Sequence, residues 1–157
     1  MAAPRINENK VSKFMQEAEF KAQLWSKDPR AKVCALVIDP DGLHILSTGY
    51  NGIPRGVLEN ENRWARTCGE KYYWVEHAER NAIYNASRRG VALAGSVLIC
   101  NKYPCADCVR AIIQCGIVEV HTRPLDVKNK KWAKSWECAS IMFEESGVVV
   151  RQVALDL

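Results

Sequence analysis

Apolar residues at 11–26 recur in three- and four-residue steps. Val11, Phe14, Met15, Ala18, Ala22 and Trp25 share one face, which predicts a helix that Asp28-Pro29 ends. The pattern then changes. KVCALVIDP (32–40) is apolar and β-branched, DPDG (39–42) signals a turn, and LHILSTGYN (43–51) reads as a second strand, so 32–50 predicts an antiparallel hairpin. NGIPRG (51–56) is a Gly/Pro loop. Residues 57–75 follow neither period and read as an insertion with one helical turn.

Beyond the insertion, helices and strands alternate. Residues 77–89 predict a helix ended by Gly90. GSVLICN (95–101) is a continuous apolar run of the kind buried on both faces of a sheet. Residues 105–115 predict a helix that Gly116 stops, with Pro104 just before its first turn. IVEVHT (117–122) is a strand, and 131–145 is a helix with Trp132, Trp136, Ala139 and Phe143 on one face. GVVVRQVAL (147–155) is a last strand. The order α-β-β-α-β-α-β-α-β predicts an α/β fold with a sheet covered on both faces. A single domain is expected over 11–157, with residues 1–10 mobile.

Composition narrows the class. The 157 residues fit one domain, and 48% hydrophobic with 25% charged residues suits a globular chain. The net charge is +4, too mild for a nucleic-acid binder but suited to an anionic small molecule. No run approaches 18 apolar residues, so no membrane span is expected. The start, MAAPRINENKVSKF, has no apolar signal core, and a cytoplasmic protein is expected. Seven cysteines, an odd number without a signal peptide, argue against a disulfide framework.

Two of those cysteines need a separate explanation. In PCADC (104–108), Cys105 and Cys108 sit three apart at the start of a helix and point to one side. A helix N-terminus favours thiolates, which is what zinc requires. His77 opens its own helix and could meet them across the sheet. One His and two Cys leave a fourth position open, as catalytic rather than structural zinc sites do. Glu79, two residues past the histidine, is then placed to take a proton from water and hand it to a ring nitrogen and a leaving amine. H-x-E followed by P-C-x-x-C is the signature of zinc nucleobase deaminases, and here it reads HAE (77–79) and PCADC.

With these motifs the chain resembles the cytidine and deoxycytidylate deaminase superfamily, and most of all its deoxycytidylate (dCMP) deaminase branch. The likeness also runs through SKDPRAKVCALVIDPDG (26–42), STGYNGIPRG (47–56), HAERNAI (77–83), YPCADCVRAIIQCGI (103–117) and MFEESGV (142–148). It implies a three-layer α/β/α sandwich around a five-stranded mixed sheet, the cytidine deaminase-like fold. It implies zinc on His77, Cys105 and Cys108 with Glu79 as proton shuttle. It implies hydrolysis of dCMP to dUMP and ammonia by a homo-oligomer, a dimer or hexamer, and a dCTP/dTTP effector site as in regulated members. Asn51 matches a position that contacts the sugar, and Ala78 one whose backbone lies against the base. Members acting on dCMP often carry a Tyr/His-containing stretch after the strand that here ends near His121; this chain has RPLDVKNKKW (123–132) instead. A free nucleoside or another aminated heterocycle remains open as the substrate. A nucleic-acid-editing or nucleic-acid-binding module is the reading from another class, and +4 gives it little support.

Five further assignments complete the expected site and its surroundings. Arg55, in the same loop as Asn51, is a candidate phosphate ligand, with a solvated loop arginine as the alternative. Tyr103 either flanks the base or packs behind the metal. Glu76, His44, His121 and the other five cysteines are expected to be structural or solvated rather than ligands. Trp132 and Trp136 read as core. The rings of Trp64, Tyr72, Tyr73 and Trp74 are too many for a polar surface loop and read as a subunit contact or a pocket wall.

Overall fold

The computed structural model describes residues 5–155. Helix α1 (Glu8–Trp25) leads to strands β1 (Cys34–Ile38) and β2 (Ile45–Tyr50), which form the expected hairpin. The insertion holds 3-10 turns at Glu61–Trp64 and Thr67–Gly69 and a short helix α2 (Glu70–Trp74). Then come α3 (Ala78–Arg88), β3 (Val97–Cys100), α4 (Ala106–Gln114), β4 (Glu119–Thr122), a 3-10 turn at Lys130–Trp132, α5 (Ala133–Ser146) and β5 (Val149–Gln152). The sheet order is β2-β1-β3-β4-β5, antiparallel from β2 to β3 and parallel from β3 to β5. This is the five-stranded mixed sheet.

Strand alternation divides the interior into two layers. Cys34, Leu36, Ile38, Val97 and Ile99 pack with Val11, Met15, Ala18 and Ala22 of α1. Ala35, Val37, Leu98 and Val120 face the other way and pack with α3, α4 and α5 through Ala82, Val109, Ile112, Ala139 and Phe143. All five residues of β1 are buried, as a central strand covered on both faces must be.

The elements mostly match the sequence expectation; the differences lie at their ends. Helix α1 starts three residues early because Asn7 caps it, its side chain accepting from the Lys10 amide at 2.9 Å. The stretch expected to be mobile, 1–10, makes contacts in its described part. Ile6 is only 2% exposed and Lys10 Nζ donates to the Gly42 carbonyl, while residues 1–4 lie outside the described residues. The last strand is four residues, not nine.

One contact sets the depth of the site. Helix α3 crosses directly over β2 at Gly49, where an added Cβ would come within 2.1 Å of the Ala78 carbonyl and 2.2 Å of the Ala82 amide. Ala78, Ala82 and Ala86 form the small stripe that meets it. The helix also covers the sheet edge, as Asn81 Nδ2 and Asn85 Nδ2 donate to the Tyr50 and Thr48 carbonyls, each at 2.7 Å.

Candidate metal centre and active site

His77 and Cys105 occupy the N-cap positions of α3 and α4, with extended backbones at φ −84° and −76°. A cap residue usually turns its side chain back onto the helix amides. Neither does so here, and both side chains point at each other instead. Ser135 of α5 supplies the missing cap on α4, its Oγ accepting from the Ala106 amide at 2.9 Å. Cys108 lies one turn into α4, on the same side as Cys105. His77 Nδ1 is 3.4 Å from Cys105 Sγ and 3.5 Å from Cys108 Sγ, and the three ligand atoms lie within 4.8 Å of one another. Bonds of roughly 2.0 Å to nitrogen and 2.3 Å to sulfur span these separations at near-tetrahedral angles, so the donor set fits zinc.

The local electrostatics favour a thiolate at Cys105. The Cys108 thiol donates to Cys105, and with His77 alongside this outweighs burial and lowers the Cys105 pKa to about 4. The same contact, with burial, pushes Cys108 upward. His77 is raised by its contact with Cys105 against the opposing effect of burial. Outside the three, Glu76 Oε1 accepts from the His77 amide at 2.8 Å and from Arg80 Nε at 2.6 Å, and Arg80 Nη1 reaches Asp107 at 3.6 Å. This chain ties the start of α3 to the first turn of α4. Glu76 is thus structural, as expected.

His77 and Cys105 border a cavity of about 250 Å³. Glu79, 4% exposed, lies in its wall beside His77 and Ala78. Burial raises its carboxyl pKa, and the neighbouring His77 charge only partly offsets this.

The sequence comparison decides what such a centre belongs to. Residues 8–123 match the family model described as the cytidine and deoxycytidylate deaminase zinc-binding region. The chain belongs to this deaminase family. Human deoxycytidylate deaminase is 35% identical over 145 residues, covering 88% of this chain and 76% of the human protein. An uncharacterized deaminase from the luxG 3′ region of Aliivibrio fischeri is 34% identical over 149 residues, covering 94% of this chain and 95% of that one. Among solved structures, the dCMP deaminase of cyanophage S-TIM5, in complex with dCMP and dUMP, superposes with a TM-score of 0.73 at 27% identity, covering 94% of this chain and 99% of that one. As a family member the chain is a zinc-dependent hydrolytic deaminase, and His77, Cys105 and Cys108 are positioned to bind its metal.

The other expected site residues of this deaminase divide. Ala78 is fully buried in the cavity wall between His77 and Glu79. Tyr103 also lines the cavity, but its hydroxyl is held by Ser140 at 3.1 Å and its ring stands edge-on to Phe143, so only the ring is offered to a ligand. Asn51 lines the cavity with its amide already committed. Its Oδ1 accepts from Ser26 Oγ at 2.5 Å and the Val33 amide at 2.9 Å, and its Nδ2 donates to the Ala31 carbonyl at 2.6 Å and Asp28 Oδ2 at 3.2 Å. A sugar contact would have to displace one of these. Arg55 is not in the cavity wall. It lies at the groove between β2 and α3, bonded to Asn85 and lining that groove with Arg88 and Arg89, so its position does not bring it to this cavity.

Other residues of the wall come from outside the motifs, and all but Tyr72 were unexpected there. Trp132, read as core, stands edge-on to His77 with ring centroids 6.2 Å apart. Lys71 of α2 is buried against the wall and paired with Asp28. Tyr72 of the insertion is a pocket wall, one of the two roles its aromatic cluster suggested. Arg66 and Lys131 complete the exposed side of the cavity. Neither stands in a motif; only the excess of rings and charges in 57–75 and 123–132 pointed to them.

Proposed function

We propose that this enzyme hydrolyses dCMP to dUMP and ammonia. The observation that carries the reading is a buried carboxylate, Glu79, in a cavity wall that also holds the metal ligands His77 and Cys105. It is supported by the likeness to a cyanophage protein that binds dCMP and dUMP. His77, Cys105 and Cys108 would hold the zinc, which when bound supplies a Lewis acid that makes water a nucleophile near neutral pH.

Glu79 takes a proton from the attacking water and delivers it to N3 of cytosine as oxygen adds to C4. It then takes the proton of the new hydroxyl and passes it to the departing amine, so the C4–N bond breaks and the C4 carbonyl of dUMP forms. Burial suits Glu79 to this exchange, since raising its pKa toward neutrality lets the carboxyl hold the proton between its two transfers. Ala78 presents its backbone to the base. The rings of Tyr103 and Trp132 flank it and keep bulk water away. Asn51 holds the loop that forms the wall.

The reading extends to a cytosolic homo-oligomer, a dimer or hexamer, under dCTP and dTTP control. No helix among the described residues is long and apolar enough to cross a membrane. The cysteines are free, which suits a reducing compartment. Phe20, Leu24 and Trp25 leave an apolar strip exposed on α1 that a subunit contact would cover. Sedimentation with and without dCTP tests this part. Ammonia release from dCMP, deoxycytidine, CMP and cytosine tests the activity. The highest kcat/KM should be on dCMP, and a preference for an unphosphorylated ring would overturn the choice of substrate.

A further inference from the structure

The cavity changes character from its floor to its rim. Glu79, Cys105 and Tyr103 are buried, whereas Arg66, Tyr72 and Lys131 are exposed. An aromatic path joins the two ends. Trp132 stands 6.2 Å from His77, Tyr72 stands 5.9 Å from Trp132, and Lys131 Nζ lies 4.1 Å from the Tyr72 ring centroid while also donating to its hydroxyl.

The charges follow the same gradient. Glu79 is the one carboxylate in the wall among the described residues, and it sits at the floor. Lys71 is neutralised by Asp28. Arg66 and Lys102 make no side-chain hydrogen bond or ion pair among the described residues, and Lys131 has only a neutral phenol as partner. Three cations thus face one cavity without an ion-pair partner among the described residues, and gathering them there is unfavourable unless an anion enters. An aminated ring at the floor and a phosphate at the rim match this polarity end for end.

We propose that Lys131 and Arg66 bind the 5′-phosphate of the substrate, and that Tyr72 is a positioning residue that holds the Lys131 ammonium at the rim. The inference rests on the dCMP reading above. Lys102, between rim and floor, adds to the field, and Arg55 takes no part. Lys131 comes from the stretch at 123–132 and Arg66 from the insertion, so these two segments together determine whether the enzyme prefers a nucleotide to a nucleoside.

The test compares kcat/KM for dCMP with that for deoxycytidine in the zinc-loaded wild type, Lys131→Gln, Arg66→Gln and the double variant, with Lys131→Arg as the conservative control. Loss of one charge-assisted bond should lower the dCMP-to-deoxycytidine ratio about 10- to 100-fold. The double variant should lose more, and Lys131→Arg should keep most of the ratio. In the wild type, added salt should raise KM for dCMP and leave that for deoxycytidine nearly level. A wild type that prefers dCMP, with a ratio unmoved in all the glutamine variants, overturns the assignment of the phosphate site and leaves the substrate standing. A wild type that does not deaminate dCMP overturns both.

Discussion

Glu79 and Asp28 are both buried carboxyls, yet their surroundings drive them in opposite directions. Glu79 stands in a dry wall where burial dominates and its pKa rises. At Asp28 burial also pushes upward, but the Ala31 and Arg30 amides and the Lys71 ammonium outweigh it, and the pKa ends below the ordinary value. The first is suited to proton transfer and the second to a fixed charge. Glu79→Gln should therefore retain zinc, measured by metal analysis, while its kcat falls at least about 100-fold. Asp28 should act on stability. A carboxyl with a depressed folded pKa stabilises above its unfolded value and loses that contribution as pH falls through the folded one. Asp28→Asn should lower stability at pH 7 by about 3 kcal/mol, because Lys71 is left buried without its partner. Below about pH 4 the gap to the wild type should narrow, a change readable from urea midpoints at pH 7 and pH 3.

The helix–strand crossing at Gly49 is the element-scale counterpart. The metal site needs the first turn of α3 at a fixed depth, because His77 caps that helix and Glu79 lies in its first turn. The depth is available only because β2 offers no side chain under Ala78 and Ala82. Gly49→Ala should push the helix outward, destabilise the fold by about 3 kcal/mol and leave less than one zinc per chain after dialysis. Full metal occupancy in a well-folded Gly49→Ala protein would show that the crossing does not set the site. The same crossing explains Asn81 and Asn85. In sequence they look like ordinary polar positions of a helix, but their side chains close the open edge of β2.

For the whole molecule, three segments far apart in sequence converge on one volume. The loop after α1 contributes Ala31 and Asn51's partner Asp28. The insertion contributes Lys71 and Tyr72, and the turn before α5 contributes Trp132. The Asp28–Lys71 pair joins the first to the second, and the Tyr72–Trp132 ring contact joins the second to the third. Metal on α3 and α4 should reinforce this arrangement, since binding to the native state alone stabilises it. Removing zinc with a chelator should abolish deamination and lower Tm, and adding zinc back should restore both. An unchanged Tm would mean that the three segments hold the site without the ion.

The metal half of the active site was legible in the residues alone because its signals are local. HAE and PCADC each place their chemistry within one helical turn, where spacing dictates direction, and the alternation of apolar runs is enough to order the strands and helices around them. The substrate half was not legible. Asn51 looked available for a ligand until its four hydrogen bonds were visible, and Arg55 shares a loop with it yet bonds to Asn85 outside the cavity wall. Trp132 has the spacing of a core residue but lies in the 3-10 turn before α5, rotated toward His77. A side chain's reach into a cavity depends on contacts between segments distant in the chain, and no local period encodes them. Sequence determined the chemistry, and tertiary packing alone decided which surface meets the rest of the substrate.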